Sequence, residues 1–299
     1  MLLLLDSASI WYRAYFGMPD TLLSPKGEPI NAIRGYLDMV AKLIQIYKPT
    51  NVIAAIEGDW RPTWRTELFP GYKANRLDDD GGEEEPDLLT PQIPILLQLL
   101  EDFGIPVVGA DDFEADDVIA TYSKIHQGPA RIATGDRDLF QLVDKKKDVK
   151  IVYLAKGISN HDLVDENWIE SKYQIPGERY ALFAMIRGDT SDGLPGIKGI
   201  GEKGAAELAN QFENLDKLMD AFYKKSDSLA EKYRKKIEQS LDYVKIMNDL
   251  VTCATKVPVP PLEGAYNLEN LKKENIAITK ERYGLGTSVD RMINALSEL

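Results

Sequence analysis

Met1-Leu2-Leu3-Leu4-Leu5-Asp6-Ser7 places four consecutive leucines directly before a carboxylate. With no basic segment before it, a run this short is neither a signal peptide nor a membrane span. It reads as a strand buried on both faces, the kind found in parallel sheets. The arrangement recurs outward along the chain. Val52 to Ile56 is apolar and β-branched, and Glu57 follows at once. Ile105 to Val108 leads into Asp111-Asp112-Phe113-Glu114-Ala115-Asp116-Asp117, where an aspartate cap precedes a helical pattern and Glu114 and Asp117 share a face of its first turn. Arg131 to Ala133 runs into Thr134-Gly135-Asp136-Arg137-Asp138. Helical stretches at Ala32 to Tyr47 and Pro94 to Phe103 alternate with these runs, so the expected fold is α/β, a mostly parallel central sheet with helices on both faces. Such sheets bind ligands outside the carboxyl ends of their strands. Four acid-bearing strand ends would meet there.

An aspartate after a strand is usually a turn or a helix cap. The conjunction of four carries the weight. Carboxylates crowded into one pocket raise each other's pKa values unless a cation neutralises them. Oxygen ligands without His or Cys support select hard cations, so Mg²⁺ or Mn²⁺ is implied rather than zinc. Paired metals of this kind suit phosphodiester chemistry. The balance of 48 acidic against 36 basic residues, net −12, points away from nucleic acid, but nine acids committed to metal would remove most of that excess. The single cysteine, Cys253, excludes an internal disulfide and a cysteine-rich zinc site and fits a reducing cytoplasm.

The second half supplies a different element. After a helical stretch from Tyr180 to Arg187 comes Gly188-Asp189-Thr190-Ser191-Asp192-Gly193-Leu194-Pro195-Gly196-Ile197-Lys198-Gly199-Ile200-Gly201-Glu202-Lys203. Glycines 196, 199 and 201 allow close approach of the backbone to a phosphate, and Lys203 lies where a helix begins, with its free N–H groups. Two aspartates at i and i+3 precede the turn.

Together these stretches resemble the bacterial 5′→3′ exonuclease and flap endonuclease family, which includes the nuclease domain of DNA polymerase I. The matching segments, in family order, are Leu4-Leu5-Asp6-Ser7 with Tyr12-Arg13, Arg61-Pro62 through Arg65, Tyr72-Lys73-Ala74-Asn75-Arg76, Glu114 through Ile119, Thr134 through Leu142, and Gly188 through Ala206. The resemblance implies one metal held by Asp6, the acid at Glu57, Glu114 and Asp116, and a second nearer Asp117, Asp136, Asp138, Asp189 and Asp192. It implies that Lys73 and Arg76, at the base of a helical arch over residues 66–92, contact the scissile phosphate, and that Tyr72 is a platform for an unpaired base. The glycine-rich segment resembles a helix–two-turn–helix over 181–210, whose carbonyls would hold K⁺ against a duplex phosphate flanked by Lys198 and Lys203. A nuclease core at 1–170 and a helical lobe at 171–299 follow as the expected domains, with the tail favouring a stand-alone enzyme.

The implied substrates are branched, flapped or nicked DNA and RNA primer–DNA junctions, cut by a monomeric cytoplasmic enzyme coupled to a DNA polymerase and a ligase, with no membrane association. The alternative is a DNA-binding paralogue with weakened catalysis. Two departures bear on it. The family's Phe-Asp is Ile56-Glu57 here, with Asp59 as a competing ligand two residues on. Residues 78–87 are unusually acidic and read as a mobile solvated loop.

Overall fold

The computed structural model describes residues 1–299 except 79, 80, 83, 84 and 263. Six strands form one sheet: β1 (Leu2–Asp6), β2 (Asn51–Ala55), β3 (Val107–Val108), β4 (Ala130–Thr134), β5 (Val149–Tyr153) and β6 (Asp162–Val164). Their order is β3-β2-β1-β4-β5-β6, parallel throughout except for antiparallel β6. The central strand pairs Leu4 with Ile53 on one side and Ile132 on the other. Leu2 to Leu5 are fully buried because both faces are covered, and each leucine so buried contributes about 2 kcal/mol. Alternation sends Leu2 and Leu4 into one core and Leu3 and Leu5 into another.

Helices α1 (Ser7–Gly17), α2 (Asn31–Tyr47), α3 (Thr63–Leu68), α4 (Ile93–Asp102) and α5 (Ala115–Ile125) connect the first four strands. Ile33, Leu37 and Leu96 of α2 and α4 join the core of Leu3 and Leu5, while Val118, Ile119 and Tyr122 of α5 join that of Leu2 and Leu4. The later part is helical: α6 (Glu166–Tyr173), α7 (Tyr180–Arg187), α8 (Glu202–Gln211), α9 (Leu215–Tyr223), α10 (Glu231–Gln239), α11 (Leu241–Val251), α12 (Lys273–Tyr283) and α13 (Thr287–Leu296). A helical lobe running to residue 299 does not describe its end. Val289, Met292 and Leu296 of α13 pack into the same core as α2, so the chain returns to the nuclease side of the molecule. Among the described residues, no helix is long and apolar enough to cross a membrane.

The arch expected over 66–92 is not a pair of helices. Among the described residues, that interval holds the end of α3 and two single 3₁₀ turns, Ala74–Arg76 and Thr90–Gln92. Its sequence explains this: Gly71, Gly81, Gly82 and Pro86 interrupt the interval, and like-charged neighbours oppose a helix. Of the acidic run read as a mobile loop, Asp79, Asp80, Glu83 and Glu84 lie outside the described residues. Asp78 closes a turn on the amide of Gly82 at 2.7 Å.

Candidate active site

Every parallel strand ends on the same edge of the sheet, and the acids that follow four of them line one cavity of about 570 Å³. Its wall includes Asp6 at the end of β1, Glu57 after β2, Glu114 and Asp116 at the start of α5, and Asp136 after β4, together with Lys73 and Arg76. Asp6 sits where β1 becomes α1. One of its carboxylate oxygens caps α1 by accepting from the Ser9 amide at 3.1 Å, and the other accepts from the Thr134 hydroxyl at 2.6 Å. Thr134 in turn accepts from the Asp136 amide at 2.8 Å, so one buried hydroxyl ties two strand ends together. Its signal in the sequence was slight: a polar residue ending a buried strand.

Burial pushes Asp6 up to about 6 against the hydrogen bonds from Thr134 and Ser9, and Asp136 adds to the rise. Glu57 is pushed up to about 8 by burial and then by Glu114, with Lys73 opposing. Asp116 is raised well above the carboxylate range by burial, then by Asp136 and Asp6. The shared cause is negative charge gathered away from water without a matching cation. Among the described residues, no three of these acids already close on a single coordination point, as expected of carboxylates that repel one another. Glu57 faces this group and its carboxylate accepts from the Ala115 amide at 2.6 Å. Asp59 instead caps the Arg61 amide at 2.9 Å and is not part of the cavity wall.

Three more of the expected acids lie beside this group. Asp138 opens a 3₁₀ turn after Asp136 and is raised well above its usual range by burial, then by Asp136, Asp192 and Asp189. Asp192 is pushed up to about 6 by burial, with Lys73 and Arg76 opposing. Against burial, hydrogen bonds from Ser191 and the charge of Arg187 hold Asp189 below the carboxylate range.

Asp117 goes elsewhere. Its two oxygens accept from the two terminal nitrogens of Arg65, each at 2.8 Å, and also from the amides of Ala254 at 2.7 Å and Glu114 at 3.2 Å. Fully buried and committed to these four donors, it is a brace between α3, α5 and the segment after α11 rather than a metal ligand. Tyr72 also departs from expectation. It is 3% exposed and its hydroxyl donates to Glu114 at 2.8 Å, so no face is offered to a base.

Lys73 reaches the acids from a left-handed backbone, φ 50°, which the hydrogen bond its amide donates to the Asp192 carbonyl helps hold. Its ammonium lies 3.0 Å from Glu114, and against burial Glu114, then Asp192, keep it charged. Arg76 pairs with Asp192 and donates to the Ser191 carbonyl at 3.3 Å. The basic motif is thereby bolted to the glycine-rich turn. Gly193, φ 69°, sits at the junction, where a Cβ would fall 2.4 Å from the Gly71 carbonyl.

The glycine-rich turn joins α7 to α8. Gly196, φ 63°, lies so close to α7 that a Cβ would stand 2.6 Å from the Arg187 carbonyl. Gly201 ends the turn, and α8 starts without a capping side chain. Lys198 and Lys203 are exposed on this surface. Lys236 of α10, in a basic run that reads from sequence as a solvated face or an extension of the DNA track, donates its ammonium to the Gly199 carbonyl at 2.6 Å.

Comparison with known proteins fits this geometry. Residues 1–174 match the 5′-3′ exonuclease N-terminal resolvase-like domain and residues 175–275 the 5′-3′ exonuclease C-terminal SAM fold. The chain belongs to the 5′-3′ exonuclease family. It is 41% identical to a 5′-3′ exonuclease of Streptomyces coelicolor over 99% of this chain and 100% of that protein, and 37% identical to one of Mycobacterium tuberculosis over 100% and 98%. DNA polymerase I of Bacillus subtilis is 29% identical over 97% of this chain but only 32% of the polymerase. Among solved structures, the T5 5′-exonuclease with divalent metal ions (zinc) bound has a TM-score of 0.63 at 16% identity, covering 99% of this chain and 98% of that one. Human GEN1 in complex with Holliday junction DNA has 0.63 at 15%, covering 99% and 72%. At these identities the structural likeness speaks for the fold. This member of the 5′-3′ exonuclease family thus carries the fold of these nucleases, with Glu57 on the wall of its cavity.

Proposed function

We propose that this 5′-3′ exonuclease is a structure-specific nuclease that hydrolyses DNA phosphodiester bonds at flaps, nicks and branches with the help of divalent cations. One observation carries this reading: carboxylates from four strand ends share a cavity with Lys73 and Arg76. The donor set fits a hard cation, since it is all oxygen and its acids are raised by burial and then by one another, a cost that a bound cation relieves. Mg²⁺ or Mn²⁺ would be held by Asp6, Glu57, Glu114, Asp116 and Asp136, with Asp138, Asp189 and Asp192 serving a second ion. Bound there, such cations activate water and stabilise the leaving oxygen.

The chain's own groups do the rest. Lys73 and Arg76 supply fixed positive charge to the phosphate oxygens. Thr134 and the Ala115 amide hold Asp6 and Glu57 in place, while the Arg65–Asp117 pair fixes the start of α5, which presents Glu114 and Asp116. The turn of Gly196, Lys198, Gly199, Gly201 and Lys203, exposed from Lys198 on except at Ile200, would take a duplex phosphate. There the cation is read differently from the K⁺ implied by resemblance, because Lys236 already occupies the Gly199 carbonyl. Cleavage leaving 5′-phosphate and 3′-hydroxyl ends would suit coupling to a polymerase and a ligase in the cytoplasm. A complete cavity within one chain supports a monomer.

The bound T5 and GEN1 structures support metal and branched DNA as ligands of this fold. The test is cleavage of 5′-labelled single-flap, nicked and blunt duplexes with Mg²⁺ or EDTA. Cutting at the flap and nick only, and only with Mg²⁺, is expected. Equal cutting of all three, or cutting in EDTA, would overturn the reading.

A further inference from the structure

Among the described residues, the Asp138 carboxylate accepts no hydrogen bond from the protein, so its aim depends on how its backbone is held. The Asp138 amide donates to the Asp136 carboxylate at 2.8 Å, and the Asp138 carbonyl accepts from the side chain of Gln141 at 2.8 Å. The first of these partners is itself an expected ligand; the second is anchored elsewhere. Nε2 of Gln141 also donates to the carbonyl of Val251, the last residue of α11, at 3.0 Å, and its Oε1 accepts from the Cys253 amide at 3.1 Å. Both N–H groups and the oxygen of this amide are therefore engaged, and the reverse orientation would set its oxygen against two carbonyl oxygens. One residue further on, the Ala254 amide donates to Asp117, the brace at the start of α5. Residues 251–254 thus hold two acid-bearing turns at once.

We infer that Gln141 is a positioning residue for the second cation: it fixes the turn that presents Asp138 against the end of α11. The inference rests on the proposed nuclease reading, which gives Asp138 to that cation. A group that holds a metal ligand in place commonly matters by about tenfold or more in metal affinity or activity. The other end of α11 adds to the role. Ser240, immediately before it, accepts from the Lys198 amide at 3.1 Å. With 11 residues, α11 spans about 16 Å, so one helix runs from the glycine-rich turn to Asp138. The surface that takes the duplex and the acids that take the second cation are referred to the same rigid element.

The experiment measures Mn²⁺ binding to the full chain without DNA, from the electron paramagnetic resonance signal of free Mn²⁺. It then measures the Mg²⁺ needed for half-maximal single-turnover cleavage of a 5′-flap duplex. Gln141→Met keeps the length of the side chain and removes all three hydrogen bonds. It should weaken one class of Mn²⁺ site by about tenfold and raise the Mg²⁺ requirement by a similar factor, with flap affinity in EDTA within about twofold of the wild type. Gln141→Asn, one methylene too short to span both carbonyls, should shift both readings the same way, and it decides the matter if the methionine variant does not fold. Cys253→Ala separates positioning from loosened packing, because it trims a buried side chain at the same place and keeps the backbone amide that meets Gln141. It should lower Tm and leave Mn²⁺ binding as in the wild type. Wild-type Mn²⁺ affinity in a folded Gln141 variant, or an equal loss in Cys253→Ala, would overturn the role. A wild type that binds Mn²⁺ without cutting the flap would overturn the nuclease reading, with Gln141 then judged on Mn²⁺ binding; one that binds no Mn²⁺ would overturn both.

Discussion

Asp117 separates a brace from a ligand, and the two roles predict opposite effects on stability. Arg65 is 3% exposed and Asp117 is fully buried, joined by two 2.8 Å hydrogen bonds. Removing one partner of such a pair costs about 3–5 kcal/mol, because the other charge stays buried without compensation. After Arg65→Met, Asp117 would still accept from the amides of Ala254 and Glu114, which puts the loss near the lower end, about 3 kcal/mol. Unfolding entropy of roughly 2 cal/mol/K per residue converts that, for a chain this long, into a fall in Tm of about 5 °C. Asp117→Asn should cost at least as much, since Arg65 would keep only Glu114, at 3.5 Å, as a counter-charge. Asp136→Asn should instead raise Tm in EDTA, as it removes a charge that pushes Asp6, Asp116, Asp138 and Asp192 upward. It should also abolish cleavage while flap DNA stays bound. Circular-dichroism melts in EDTA and Mg²⁺ titrations of cleavage read both properties. The reasoning is refuted if Asp117→Asn melts like the wild type but needs far more Mg²⁺.

Other tests bear on other parts of the site. Lys73→Ala should lower the single-turnover cleavage rate by about a hundredfold, the scale of one lost transition-state donor, with no rise in the Mg²⁺ requirement; an unchanged rate would remove Lys73 from the chemistry. Glu57 and Asp6 are raised to about 8 and about 6, so the metal-free fold binds more protons than the unfolded chain between the ordinary carboxylate range and those values. Their contribution to stability is therefore present at low pH and lost as pH rises through 6 and 8, and the Tm gained from Mg²⁺ should grow over that window; a gain that shrinks from pH 6 to 8.5 would contradict this. Replacing K⁺ by tetramethylammonium at matched ionic strength should change wild-type flap affinity by less than about twofold, because Lys236 is already on the turn, whereas Lys236→Met should make affinity depend on K⁺. Fluorescence anisotropy measures both, and a strongly K⁺-dependent wild type would return the turn to a free ion.

The strand ends were legible because their signal is local. Four leucines followed by Asp6, or Val52 to Ile56 followed by Glu57, declare both a buried strand and the acid at its tip within seven residues or fewer. Asp117 was not legible in the same way. Its place on the first turn of α5 allowed either the cavity or the interior, and the arginine that decides lies 52 positions away. Tyr72 beside Lys73 reads alike whether its ring faces a base or the core. Lys236 sits on α10, 37 positions past the carbonyl it meets, within a basic run that looks like any solvated helix face. The arch failed for another reason: resemblance supplied it, while the glycines and acids of 71–87 argued locally against helix.

The return of α13 onto α2 joins distant parts of the chain in one core. Residues 31–47 expose an apolar face whose partner, Val289 to Leu296, is synthesised about 250 residues later, a contact order that favours slow closure. Until then, the floor beneath β1 and α1, from which Asp6 is presented, lacks one of its walls. Helix α13 therefore acts as a clasp that closes the core beside the strand carrying Asp6 across about 250 residues of intervening chain.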